Sequence, residues 1–378
     1  MRLLFFSSIF PRPWNVTKGI YCFHACRSAQ RLGHDVRVVC PLSWLERPGP
    51  RKPLEGLSEL DVEYPLWVYP PKVLHHRSHR FMELSSLRAM RRIHRTWKPD
   101  AILSYWAHPD GAVAARFAKR WGIPSGVIVG GSDVLVLPRE DPKRGRSIVK
   151  ALDAVDAVIT VGAHLKDATA RLGVPARKIH VVFQGVDTAI FKPGSMSDAR
   201  KKLGLPLEGK MLVAVGSLVP VKGIDVLLDA LARLTKRRDD VRLCLVGDGA
   251  ARKSLEERAA KLGLGDVVRF AGSVPQAELG DWYRAADLSV LASRSEGVPN
   301  VLRESLACGT PFVATNVGGV FEIAEGTKNR VVSAEDAGAL ENAIADSLDA
   351  AKPEVPPGAF LSWDESTKQM LDLLVSAR

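Results

Sequence analysis

Short runs rich in Val, Ile and Leu alternate along this chain with longer segments of helical period, and the alternation occurs as two successive series. Continuous apolar runs of this kind suit strands buried on both faces of a parallel sheet and joined by crossover helices. The first series predicts strands at Arg2 to Ser8, Asp35 to Val39, Ala101 to Ser104, Gly126 to Val129, Ala157 to Val161 and Ile179 to Phe183, with helices near Gly19 to Leu32 and Gly111 to Trp121. The second predicts strands at Met211 to Val215, Arg242 to Val246, Val267 to Ala271, Leu288 to Leu291, Pro311 to Ala314 and Asn329 to Val332. Between them, Gln184 to Leu207 is rich in Gly, Pro, Asp and Ser, the composition of a connector, which puts the boundary near Gly185 to Pro193. A chain of 378 residues also exceeds what one core usually supports. The expectation is an α/β protein of two Rossmann-like, doubly wound parallel-sheet domains, 1–185 and 186–358. A linker at Lys352 to Gly358 then leads to a C-terminal helix within 359–378 that packs back on the first domain. Sheets of this kind bind ligands beyond the carboxyl ends of their strands, so two of them facing each other would share a cleft.

The charge is uneven. Residues 1 to 185 hold 29 Lys and Arg against 15 Asp and Glu, a balance of +14, whereas the remainder holds 24 against 27, a balance of −3. A basic first half implies an anionic partner there: an acidic acceptor, a nucleic acid or an anionic membrane surface. Nucleic acid is disfavoured, because no recognition motif or aromatic-basic platform accompanies the charge. The five cysteines are odd in number and scattered, which fits core packing in a reducing, cytoplasmic setting. The opening MRLLFFSSIF reads as a buried first strand, since its apolar run is short and Pro11 and Pro13 follow. No apolar run is long enough for a membrane span, and no metal-ligand cluster is evident, so neither a metal nor another cofactor is expected.

The most specific signal is SEGVPNVLRESLACGTPFVAT, residues 295 to 315. Glu296 follows an apolar strand, Gly297, Val298 and Pro299 form a turn, and Asn300 and Val301 open a helix that carries Glu304. A helix start of this kind seats phosphate on backbone N–H groups. The flanking carboxylates accept hydrogen bonds from sugar and ribose hydroxyls, a pairing that suits a sugar nucleotide. Spacing alone also permits an acid near a helix cap plus a solvated glutamate.

This segment, with NVGG at Asn316 to Gly319, resembles glycosyltransferase family 4, the retaining group 1 glycosyltransferases of GT-B fold. VGSLVPVKGIDVLLDAL at Val215 to Leu231, LVGDG at Leu245 to Gly249, the loop Phe270 to Pro275 and QGVDTAIFKP at Gln184 to Pro193 extend the resemblance over nearly the whole chain. It implies transfer of a hexosyl or related unit from a nucleotide-sugar donor to a saccharide or lipid-linked acceptor, in cell-surface polysaccharide or glycolipid assembly, without a catalytic metal. It further implies that Lys222 contacts the donor diphosphate, that Glu296 and Asp133 belong to the catalytic set, and that Gly19, Val274, Gly297 to Val301 and Glu304 line the substrates. A Lys in that place supplies a point charge to a leaving group that gains negative charge. Two positions depart from the family pattern: Ser217 stands where members carry Arg, and Gly130, in VIVGGSDV, stands where they carry His.

His108, in SYWAHPDG, follows another strand and is read either as an acceptor-binding group or as a satisfied structural histidine. Phe81, Leu84, Leu87, Met90, Ile93 and Trp97 recur at helical spacing among Arg80, Arg88, Arg91, Arg92, Arg95 and Lys98. That basic amphipathic helix either rests on an anionic membrane, making the protein peripheral at its inner face, or buries its apolar side in the protein. A GT-B epimerase or phosphorylase and a non-catalytic nucleotide-sugar binder are the alternative functions. A dinucleotide enzyme is disfavoured, since Arg252 occupies the third glycine position of the partial fingerprint after Val246.

Overall fold

A computed structural model describes residues 1–16, 18–50, 54–71, 73–350 and 360–376. The chain forms two compact units, Met1–Gly185 with Leu361–Arg378, and Val186–Phe360. The linker expected at Lys352 to Gly358 lies outside the described residues, as does the 358/359 boundary.

The first unit contains β1 (Arg2–Phe6), β2 (Asp35–Val39), β3 (Leu42–Ser43), β4 (Asp61–Glu63), β5 (Leu66–Trp67), β6 (Ala101–Tyr105), β7 (Ser125–Val129), β8 (Ala157–Thr160) and β9 (Ile179–Val181). Seven of them form one sheet in the order β4-β2-β1-β6-β7-β8-β9, all parallel, while β3 pairs with β5 alone. The central strands β6, β7 and β8 are buried at every residue, which explains their largely apolar sequences. On one face, Leu4, Phe6 and Ile102 pack against Met82, Met90 and Ile93 of helix Ser78–Thr96 and Phe117 of helix Ala112–Trp121. The helix Trp363–Ser376 returns to this unit and packs on helix Ile20–Arg31. There Ser28 Oγ donates to the Trp363 carbonyl at 3.0 Å, His24 stacks on Trp363, and Arg31 pairs with Asp364 at 2.6 Å.

The second unit contains β10 (Lys210–Val215), β11 (Val241–Val246), β12 (Val268–Gly272), β13 (Leu288–Leu291), β14 (Phe312–Thr315) and β15 (Arg330–Val332), in the order β12-β11-β10-β13-β14-β15. Both sheets are doubly wound, with the order reversing beside the first strand of each, β1/β6 and β10/β13. Helix Ile224–Leu234 buries Leu227, Leu228, Leu231 and Leu234 on this sheet, beside Leu340 and Ile344 of helix Ala337–Asp349. Inside the segment expected as a connector, Met196–Leu203 is helical: Ser195 caps it by accepting from Asp198 N at 3.2 Å, and Gly204 ends it at φ 62.

Candidate functional site

In the second unit the turns after β10 and β13 meet where the strand order reverses, and glycines let their backbones touch. Gly223 lies at φ 61, and a Cβ there would stand 2.0 Å from the Ala292 carbonyl oxygen. Gly318 lies at φ 56 with its Cβ position 2.1 Å from the Glu296 carbonyl oxygen, and Gly319 N donates to Gly297 O at 2.7 Å. The NVGG segment is thus the backbone support of the Glu296–Pro299 turn.

On this frame Lys222 Nζ sits 2.6 Å from Glu296 Oε1, and Ser293 Oγ donates to the same oxygen at 2.6 Å. Lys222 keeps 26% of its side chain exposed and Glu296 11%, so the pair is shielded yet reachable. Arg294 holds the Lys222 turn from beneath. Its backbone N donates to Val221 O at 2.8 Å, and its guanidinium binds the Pro220 carbonyl, Asp225 at 2.7 and 2.9 Å, and Glu335. A shallow pocket beside the pair is lined by Gly216, Ser217, Leu218, Lys222 and Ala292. Exposed Ser217 at its rim contributes no cation.

Helix Asn300–Ala307 begins after Pro299, which has no side-chain group to cap the first turn. Val298 and Val301 turn inward onto Leu291 and Leu302 and so anchor the turn. Glu304 lies on the same helix, and Tyr283 Oη donates to its Oε2 at 3.2 Å. Burial pushes the Glu304 carboxyl up to about 7, opposed by the Tyr283 hydrogen bond and the adjacent Arg303. Val274 packs with Trp282 and Tyr283 in the core below.

In the first unit the corresponding turns are held by buried carboxylates. Asp133 is fully buried and accepts from Ala107 N at 3.0 Å, Gly130 N at 3.1 Å and Gly131 N at 2.8 Å. Burial raises its pKa against the pull of these bonds. It thereby holds the turn after β6, where Trp106 adopts φ 83, a strained value for a non-glycine residue. Asp110 is likewise buried, accepts from the Ser8 N–H and hydroxyl, and is pushed by burial up to about 7. Gly19 lies at φ 70, and its Cβ position is 2.5 Å from the Ile9 carbonyl oxygen, so the close approach that requires glycine is to its own chain. His108 is fully buried, with Nε2 3.0 Å from His79 Nδ1. Burial and the neighbouring His79 and Arg144 depress its pKa to about 3.

The structure accounts for Gly130. A Cβ at this position would stand 2.5 Å from the Tyr105 hydroxyl and 2.9 Å from Tyr105 Cζ. Tyr105 is buried, packs its ring at a tilt against Tyr21 with centroids 4.5 Å apart, and reaches into the space where any side chain on residue 130 would begin.

Residues 195–354 match the family model described as glycosyl transferases group 1, and residues 19–190 match glycosyltransferase family 4. D-inositol 3-phosphate glycosyltransferase 2 of Catenulispora acidiphila is 34% identical over 317 residues, covering 79% of this chain and 70% of that protein. The chain belongs to the group 1, family 4 glycosyltransferases. The D-inositol 3-phosphate glycosyltransferase of Xylanimonas cellulosilytica is 30% identical across 95% of this chain and 91% of its own. Anabaena HepE, solved in complex with UDP and glucose, superposes with a TM-score of 0.75 at 21% identity, each chain covered over 100%. The two parallel-sheet units are therefore those of a GT-B glycosyltransferase. Among the described residues of this glycosyltransferase, no helix is long and apolar enough to cross a membrane.

Of the residues singled out from sequence, the structure joins Lys222 directly to Glu296, ties Gly297 to Gly319 and packs Val298 and Val301 on the core. Glu304 instead takes a bond from Tyr283, and Val274 packs on the core cluster that contains Tyr283. Sequence reasoning missed Ser293, Arg294, Tyr283, Tyr105 and Asp110. Ser293 and Arg294 were the easiest to find, adjoining the Glu296 signal. Tyr105 and Tyr21 are distant from Gly130 in sequence and carry no motif.

Proposed function

We propose that this glycosyltransferase moves a hexosyl unit, with retention of anomeric configuration, from a nucleoside diphosphate to a hydroxyl of a saccharide or lipid-linked acceptor in cell-surface polysaccharide or glycolipid assembly. The observation that carries the donor assignment is the Lys222–Glu296 pair, held on a backbone that only glycines permit. As the glycosidic bond breaks, charge grows on the departing diphosphate. Lys222 and the start of helix Asn300–Ala307 supply fixed positive potential for it. Glu296 accepts hydroxyls of the transferred sugar, and Glu304 accepts the ribose hydroxyls. HepE, with its UDP and glucose, makes a uridine nucleotide the first donor to try. No metal takes part in this scheme, so EDTA leaves turnover unchanged.

The test incubates protein with UDP-, GDP- and ADP-sugars and an acceptor panel, and reads the product anomer by NMR. A new glycoside of the donor's own anomeric configuration supports the reading. An inverted glycoside contradicts retention, and sugar released or isomerised without acceptor favours a phosphorylase or epimerase.

We further propose that helix Ser78–Thr96 lies near an anionic membrane at the cytoplasmic face. Met82, Met90 and Ile93 are consumed by the core, while Arg80, Arg88, Arg91, Arg92 and Arg95 face outward around Leu84, which is 72% exposed. Contact on this face is electrostatic rather than by insertion. Sedimentation with phosphatidylglycerol vesicles that falls steeply with salt supports it, and equal binding to neutral vesicles contradicts it.

A further inference from the structure

Lys222 stands on a turn that one arginine grips from both sides. Before it, Arg294 N donates to the Val221 carbonyl at 2.8 Å, and the Arg294 guanidinium donates to the Pro220 carbonyl. After it, the same guanidinium takes both oxygens of Asp225, at 2.9 and 2.7 Å, in the first turn of helix Ile224–Leu234. Its remaining N–H groups go to Glu335, Nη2 to Oε2 at 3.2 Å and Nε to Oε1. Every donor of the guanidinium is used, on acceptors from separate segments. The planar fork of arginine allows this, and the single ammonium of lysine does not. The residue before it completes the arrangement: Ser293 Oγ fixes Glu296, so consecutive residues leaving β13 aim the two ends of the 2.6 Å contact between Lys222 and Glu296.

Glu335 adds an independent sign. It lies at φ 62, in the left-handed region, where a glycine would sit without strain. The helix that follows fixes its backbone. Asp336 caps Ala337–Asp349 by accepting from Ala339 N at 2.8 Å, and Leu340 and Ile344 of that helix pack with Leu227 and Leu231. A glutamate in this conformation keeps a carboxylate aimed at Arg294. Folding alone does not call for it: the Arg294, Asp225 and Glu335 side chains are 30%, 41% and 56% exposed, and ion pairs this open contribute little to stability. Strain retained for such a pair points to a task at the neighbouring site. Without the arginine, Asp225 and Glu335 would also stand uncompensated beside the Lys222 turn and oppose an incoming diphosphate.

We propose that Arg294 is the positioning residue of Lys222, and that Glu335 is held in its strained conformation to complete the grip, which makes the loop after β15 a remote determinant of diphosphate affinity. Lys222 meets the diphosphate in the donor reading above, on which this inference rests.

The test is a double-mutant cycle on UDP affinity, measured by calorimetry on the full chain. Arg294→Met should weaken UDP about 10-fold or more when Lys222 is present, but less than about twofold on Lys222→Ala, because a residue that acts through Lys222 then has nothing to act through. Arg294→Lys should recover part of the loss. Glu335→Gly should weaken UDP about threefold while melting at or above the wild-type temperature. Where Arg294→Met does not fold, Arg294→Lys and Glu335→Gly carry the same cycle. Equal losses with and without Lys222, or wild-type affinity in folded Arg294→Met protein, overturn the proposal. Wild-type affinity in Glu335→Gly overturns the role given to the loop. A wild type that binds no nucleotide, or a folded Lys222→Ala that binds UDP as well as wild type, overturns the donor reading and the proposal with it.

Discussion

The two units build the ends of their sheets by different means. In the second, backbone packs on backbone: Gly223 against Ala292 and Gly318 against Glu296, leaving Lys222 and Glu296 as a charged pair above the turns. In the first, buried side chains do the holding: Asp133 clamps three N–H groups, Asp110 takes Ser8, and Tyr105 fills the place beside Gly130. A glycine frame of this sort suits a fixed diphosphate group common to many donors, because its geometry lies in the main chain. A side-chain frame can be rebuilt one residue at a time, which suits a surface whose ligand differs from enzyme to enzyme.

The largest test of this contrast is Gly223→Ala. A Cβ 2.0 Å from a carbonyl oxygen at φ 61 cannot be accommodated without moving the turn. We expect a stability loss of about 2–4 kcal/mol and a fall in transfer of more than about 100-fold, read by denaturant melts and initial rates. Near-normal values would mean that the second unit is not braced by its backbone.

Next is Gly130→His, which sets a side chain against the Tyr105 hydroxyl. The overpacking should cost about 1–3 kcal/mol. Tyr105→Ala in the same chain should recover part of it, giving a coupling of about 1 kcal/mol or more in a double-mutant cycle. Strict additivity would separate the two residues and weaken the description of the first unit.

The third concerns pH. Burial lifts Glu304 to about 7 from 4.5. If its ionised form accepts ribose hydroxyls as proposed, donor affinity should rise with pH through about 7 and fall about 10-fold by pH 5.5. Stability runs the opposite way. A carboxylate whose folded pKa is raised contributes stability that is complete below its unfolded value and is lost as pH rises through its folded one. Glu304→Gln should flatten both curves, and a profile unchanged by it assigns the titration elsewhere. The smallest effect is Ser217→Arg, which adds a cation at the exposed pocket rim and should tighten UDP about 2- to 5-fold at low salt.

The same contrast decides what could be read from sequence. Strands such as Ala101–Tyr105 and Ser125–Val129 were legible because burial of every residue favours apolar side chains. The edge strand Asp61–Glu63 was not, since it carries two acids and pairs on one side only. Helix Met196–Leu203 was hidden by its polar sequence and the surrounding Gly, Pro and Ser. In the second unit, Lys222, Glu296 and Glu304 stand in local motifs. In the first, Gly130 could be recognised as a departure, but its cause, Tyr105, lies 25 residues earlier on the neighbouring strand. Only the sheet register brings them together.

The central claim is that the second unit binds the donor diphosphate through Lys222, and calorimetric titration of UDP into wild type and Lys222→Ala tests it most directly. Saturable binding to wild type at one site, weakened about 10-fold or more in the variant while its melting profile is kept, is the predicted result. Equal affinity in the two proteins, with the variant folded, would contradict the account.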